Sequence, residues 1–158
     1  FNEGWGEFDP KEHYEYLKKK DPTRLYDSAS GWYVSQYSDF YSIHAYDFTH
    51  GERTSKYGHP FMLSESGGTS LKVPGHYFFD KVFGHHNCTE ASGLEKRFEN
   101  LYLNDVIPLK ERGCLVGSIY TQLTDCETEA NGLYTFDRKI LKIDEKVIKE
   151  INNRLCKD

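Results

Sequence analysis

Apolar positions in this chain come in short runs, separated by polar stretches or by stripes at helical spacing. Four runs read as strands. They are Arg24 to Ala29, leaving through Ser30-Gly31; Phe40 to Tyr46; Pro60 to Glu65, closed by Gly67-Gly68; and Cys114 to Leu123, the longest. A first helix is expected from Pro10 through Lys20. Asp9 stands at its N-cap, Pro10 in its first turn, and Lys18, Lys19 and Lys20 at its end, where cations suit the helix dipole. Asp21-Pro22 stops it. Between the third and fourth strands, Leu94, Phe98, Leu101 and Leu109 predict a helix over 94–112, bent or broken by Pro108. Asp144 is expected to cap a last helix whose stripe is Val147, Ile148, Ile151 and Leu155. The polar segment 47–59 reads as a loop. Strands alternating with helices or long connections argue for an α/β fold with parallel pairing by crossover.

Composition narrows the class. At 158 residues, one domain over 1–158 is the default, and 15% aromatics is too rich for a disordered segment. Twenty basic against 25 acidic residues give a net charge of −5, so there is no basic footprint and nucleic acid is not expected as a partner. No apolar run approaches the ~18 residues of a membrane span, and the front shows no signal-peptide pattern. The chain opens on Phe1 and reads as the interior of a longer protein, so targeting is left open. Cys88, Cys114, Cys126 and Cys156 are widely spaced without a CxxC pair, and free thiols are expected. Asn87-Cys88-Thr89 matches the glycosylation triplet, a weak signal when isolated.

Polar groups gather at the strand ends: Asp27-Ser28, then His44 and Tyr46, then Ser64-Glu65. On the fourth strand Ser118, Tyr120 and Gln122 are expected on one face, opposite Leu115, Ile119 and Leu123, with Asp125 just beyond. Parallel α/β folds carry their sites at that end of the sheet, so the polar row is expected to face a site. The sharpest pair is Glu3, before a Gly-Trp-Gly turn, and Glu65, between the apolar run Phe61-Met62-Leu63 and two glycines. A carboxylate directly after a buried strand needs partners. Two carboxylates are what glycoside hydrolysis uses, but two solvated loop residues would look the same from spacing alone.

The run Asn2-Glu3-Gly4-Trp5-Gly6-Glu7-Phe8-Asp9 resembles the acid/base motif of glycoside hydrolase family 2, the β-galactosidase and β-glucuronidase family. Further resemblances follow in order. Asp21-Pro22-Thr23-Arg24-Leu25 and Asp27-Ser28-Ala29-Ser30-Gly31-Trp32 resemble that family's fifth barrel strand, and His44-Ala45-Tyr46 its sixth. Leu63-Ser64-Glu65-Ser66-Gly67-Gly68 resembles the seventh, although Ser66 stands where relatives often carry an aromatic residue. Tyr120-Thr121-Gln122-Leu123-Thr124-Asp125, with Glu127, Glu129 and Asn131-Gly132-Leu133, resembles the eighth strand and its loop, and Thr135-Phe136-Asp137-Arg138-Lys139 follows as in relatives.

The resemblance implies the C-terminal half of a TIM (β/α)8 barrel, strands five to eight with their helices. It implies a retaining β-glycosidase parent acting on a carbohydrate; no cofactor and no metal are expected. Glu3 would be the general acid/base, its pKa raised by its surroundings and by Glu65, and Glu65 the nucleophile. Asn2 would bind the sugar 2-hydroxyl, Tyr46 would donate to Glu65, and His44 would support that wall. Trp5 and Trp32 would stack on sugar faces or pack between helix and barrel. Tyr120 and Gln122 complete the expected substrate-binding set. His85-His86 reads as a surface loop rather than a metal site, as do Glu127 and Glu129. The alternatives are a carbohydrate-binding or structural half-barrel without activity, and a metalloenzyme. A half-barrel chain is expected to be inactive alone and to dimerise through exposed edges, with an apolar layer of Leu25, Ile43 and Leu63 laid bare.

Overall fold

The computed structural model describes residues 1–33, 35–46 and 55–157. Helix α1 spans Pro10–Lys20, strand β1 Tyr41–Ala45, β2 Phe61–Gly67, β3 Thr69–Leu71 and β4 His86–Cys88. Helix α2 spans Ala91–Leu101 and runs through a π-helical turn, Tyr102–Val106, into α3, Ile107–Glu111. Strand β5 spans Gly117–Thr121 and helix α4 Glu145–Leu155. The order of the main sheet is β1-β2-β5, both pairings parallel, and β3 and β4 form a separate parallel pair. The chain is therefore mixed α/β with parallel strands. No described helix is long and apolar enough to cross a membrane.

One face of the sheet carries the core. Ile43, Ala45, Phe61 and Leu63 meet Leu94, Phe98, Leu101, Tyr102, Val106, Ile107 and Leu109 from the helical segment. Leu115, Ile143 and Ile151 close the same cluster. The helix expected over 94–112 is thus present, beginning earlier, and the interruption expected at Pro108 falls just before it, as the π turn Tyr102–Val106. Pro108 sits in the first turn of α3, directly after the π turn.

Several expectations are corrected. Ile43 and Leu63 are not laid bare: they are 4% and 1% exposed beneath the helices, while Leu25 is 66% exposed. Arg24 to Ala29 is not a strand of the sheet. The Tyr26 amide donates to the Asp39 carboxylate at 2.6 Å and its carbonyl accepts from the Asp39 amide at 2.8 Å, so local partners take the groups a ladder would need. Only Ser30 pairs, in a parallel bridge with Asn2. Asp9 does occupy the N-cap of α1, but at φ 43° its side chain caps nothing; the Asp144 carboxylate does cap α4, accepting from the Lys146 amide at 2.9 Å. Ser118 and Tyr120 of the fourth strand lie toward the helices, where each lines a cavity rather than touching Glu3 or Glu65. The Tyr120 ring packs edge-on against Phe98 on the helix side, and Ile119 is half exposed on the opposite face.

Of the expected loop 47–59, residues 47–54 lie outside the described residues, and 55–59 form a turn. A buried ion pair ties the last third of the chain to the sheet. Lys142 Nζ lies 2.7 Å from Asp125 Oδ1 and also donates to the carbonyls of Leu71 and Ala130. Burial pulls the Lys142 amine below its ordinary value and pushes the Asp125 carboxyl up, against their mutual attraction. The four cysteines are free thiols, as their spacing predicts.

Candidate active site

The site begins with a fault in strand pairing. Ile43 pairs with Leu63, but His44 pairs with Glu65, so Ser64 is an extra residue in β2. By strict alternation Glu65 would share the face of Leu63, which is buried under the helices. The bulge turns it instead to the face of His44. Ser64 fills the irregularity by donating to the Ile43 carbonyl at 3.2 Å and accepting from Ser42.

His44 is the hub. Its side chain is 1% exposed, and its Nδ1 lies 3.1 Å from Glu3 Oε1 and 3.5 Å from Glu65 Oε2. The ring fits because Gly31 passes beside it: a Cβ at Gly31 would lie 2.9 Å from the imidazole, and Gly31 holds φ +93°. Trp32 meets the ring at an angle, with centroids 6.2 Å apart.

Glu3 is brought to this hub from the first turn of the chain. The Phe1 nitrogen donates to the Ser28 carbonyl at 2.7 Å, and Ser30 donates its amide to the Phe1 carbonyl at 3.1 Å. Asn2 accepts from the Ser30 hydroxyl at 3.3 Å. Glu3 itself holds φ 54°, a left-handed conformation that costs a non-glycine residue of order 1 kcal/mol and recurs at functional positions. Trp5 Nε1 donates to Glu3 Oε2 at 3.2 Å. The expected rise of the Glu3 pKa is not found. Burial is the largest single influence and does raise it, but hydrogen bonds from His44, Trp5 and Trp32, with the His44 charge, outweigh it and hold the carboxyl below its ordinary value.

Tyr46 donates its hydroxyl to Glu65 Oε1 in a short hydrogen bond. Burial, then that bond, then the charges of Glu65, Glu3 and Glu129 push the phenol far above its ordinary value, so it stays a donor. Its ring stacks on His85, with centroids 3.4 Å apart and planes 11° apart. Gly68 makes room for both rings, at φ +62°.

The structure therefore brings together Glu3, Glu65, His44 and Tyr46, with Trp5 and Trp32 on Glu3. Asn2 lies at the edge of the group, through its bridge to Ser30. Trp5 and Trp32 are 74% and 55% exposed, so neither packs between helix and sheet. Tyr120 lies apart, under α2, and contributes to a cavity of about 440 Å³ shared with Tyr46, Gly67, Arg97 and Phe98. Gln122 turns toward Glu129 and Asn131, at 3.0 and 2.7 Å. Comparison with known protein families and with curated proteins returns no match.

His85 and Glu129 do lie on loops, as expected, but the stacking of the His85 ring on Tyr46 was not foreseen. The signal for His85 lies in Gly68, whose missing side chain admits two rings, but only the fold shows which two. Among the described residues, no group of three or more His, Cys, Asp and Glu side chains is arranged to hold a metal ion.

Proposed function

We propose that this chain belongs to a retaining β-glycosidase, with Glu3 as general acid/base and Glu65 as nucleophile. The observation that carries this reading is the pair of carboxylates on one imidazole nitrogen, at 3.1 and 3.5 Å. Those two lengths laid end to end set the greatest possible separation of the two oxygens. That closeness admits the ~5–5.5 Å separation of the carboxyl groups in retaining glycosidases. The resemblance of the motifs around Glu3 and Glu65 to glycoside hydrolase family 2 points the same way. So does the topology: three parallel strands in the order β1-β2-β5 are what strands six, seven and eight of a TIM barrel would give, with the Asn2–Ser30 bridge standing for the contact between strands four and five.

In this reading Glu65 attacks the anomeric carbon, and the Tyr46 hydroxyl keeps one of its oxygens aimed. The departing oxygen takes a proton from Glu3, which then deprotonates the water that releases the sugar. His44 sets the spacing of the two carboxylates. Exposed Trp5 and Trp32 supply faces for sugar stacking. The carbohydrate itself is the expected partner.

The test is kinetic, on the protein that contains this chain. Glu65→Gln abolishes hydrolysis of glycosides. Glu3→Gln slows it, most for alkyl glycosides whose leaving groups need the proton and least for activated aryl glycosides. Wild-type turnover of an aryl glycoside by Glu65→Gln would refute the assignment.

A further inference from the structure

We propose that Glu129 lines the same pocket as Glu65, accepts hydrogen bonds from substrate hydroxyls, and restricts the site to neutral sugars over uronic acids. This inference rests on the glycosidase reading.

The register places Glu129. Gly67 of β2 pairs with Thr121 of β5, and the Gly68 amide donates to the Thr121 carbonyl at 2.9 Å. Gln122 thus leaves the sheet beside the point where the chain leaves β2, just past Glu65. Its side-chain amide donates to Glu129 Oε2 at 3.0 Å and to Asn131 Oδ1 at 2.7 Å, and Asn131 Nδ2 reaches the same Glu129 oxygen at 3.5 Å.

A second connection comes from the segment 83–85. The Phe83 amide donates to the Thr128 carbonyl at 2.6 Å, and the His85 amide to the Gly68 carbonyl at 3.0 Å. The His85 ring stacks on Tyr46, and Phe83 meets that ring edge-on at 5.7 Å. The loop bearing Glu129 is therefore stitched to the tyrosine that holds Glu65. The Glu129 charge is also felt at the Tyr46 hydroxyl, together with those of Glu65 and Glu3.

The chemistry follows from what holds Glu129. An ionised carboxylate only accepts hydrogen bonds, and sugar hydroxyls donate them. Glu129 is fixed by neutral amides, so its charge is positioned without being cancelled. Among the described residues, no lysine or arginine pairs with Glu3, Glu65 or Glu129. A uronic acid carboxylate entering here meets the like charges of Glu65 and Glu129, while Glu3 carries its proton as the acid. Partly exposed His85 and Phe83 add an aromatic wall for the apolar face of a pyranose.

The experiment compares kcat/KM of the full protein on 4-nitrophenyl β-D-galactoside, glucoside, mannoside and glucuronide. The wild type is expected to favour at least one neutral substrate over the glucuronide by ~100-fold or more. Glu129→Gln raises KM for the neutral substrate about tenfold, as loss of a charged acceptor does, leaves kcat nearly unchanged, and narrows the discrimination. Glu129→Asp keeps the charge but shortens the reach, so it raises KM while retaining discrimination. This second variant keeps the test valid if Glu129→Gln melts early. A wild type that prefers the glucuronide, or unchanged KM and discrimination in both variants, overturns the inference while leaving the glycosidase reading intact. Hydrolysis of none of the four, or an active Glu65→Gln, overturns both.

Discussion

His44 decides more at the residue scale than either carboxylate alone. Its Nδ1 is the contact shared by Glu3 and Glu65, and its hydrogen bond is the first of those that lower the Glu3 pKa. A general acid works only while protonated, so a lowered pKa makes kcat/KM fall early as pH rises. Removing a donor to the ionised form lets the Glu3 pKa climb, and the basic limb of the profile moves to higher pH. His44→Phe keeps a ring for Trp32 and Gly31 to pack on and removes only the nitrogens. It is expected to shift that limb upward and to lower kcat. A pH profile of kcat/KM checks it, and an unmoved limb would show that His44 does not govern Glu3. Glu3 and Glu65 were legible in the sequence as an unusual pair. The Ser64 bulge that brings Glu65 round to His44 was not, because register is a property of two strands and not of one.

Helix capping separates two aspartates that look alike in sequence at the scale of elements. Asp9 and Asp144 each precede a helix, but only Asp144 accepts from an amide, that of Lys146. At φ 43° the Asp9 side chain is carried away from the first turn, and its carbonyl meets the His13 ring instead, at 3.0 Å. Asp144→Ala is expected to cost about 1 kcal/mol, which lowers Tm by roughly 2–4 °C in a chain of this size. Asp9→Ala should leave Tm within a degree or so. A thermal melt of both variants decides the matter, and equal losses would refute the distinction. The apolar runs of β1 and β2 and the stripe of α4 were readable because each delivers its apolar side chains to one core. Arg24 to Ala29 was misread because Asp39 satisfies its backbone from a distance in sequence that no local pattern reveals. The short pair β3 and β4 escaped notice because three residues carry too little periodicity to register.

The two faces of the sheet differ at the scale of the whole molecule, and this sets how the 158-residue chain behaves in solution. One face is sealed by α2, its π turn and α3, with Leu94, Val106, Ile107 and Leu109 at most 1% exposed. Alternation along β5 puts Ile119 on the other face, opposite Tyr120, where it is 50% exposed. Leu123 beyond it is 67% exposed. The segment between β2 and β5 cannot shield these side chains, because its apolar stripe is already spent on Ile43, Phe61 and Leu63. Among the described residues the sheet also ends at β5, which pairs with β2 on one side only. An unpaired strand edge beside exposed aliphatic groups is a template for another chain. The 158-residue chain is therefore expected to dimerise or associate further through β5. Ile119→Lys with Leu123→Lys, which places charge on that face, is expected to return it to a monomer without loss of helix content. Light scattering across a range of concentrations reads the outcome. A monomeric mass for the unaltered chain at high concentration, with a cooperative melt, would mean that this face tolerates water and that β5 is not an interface.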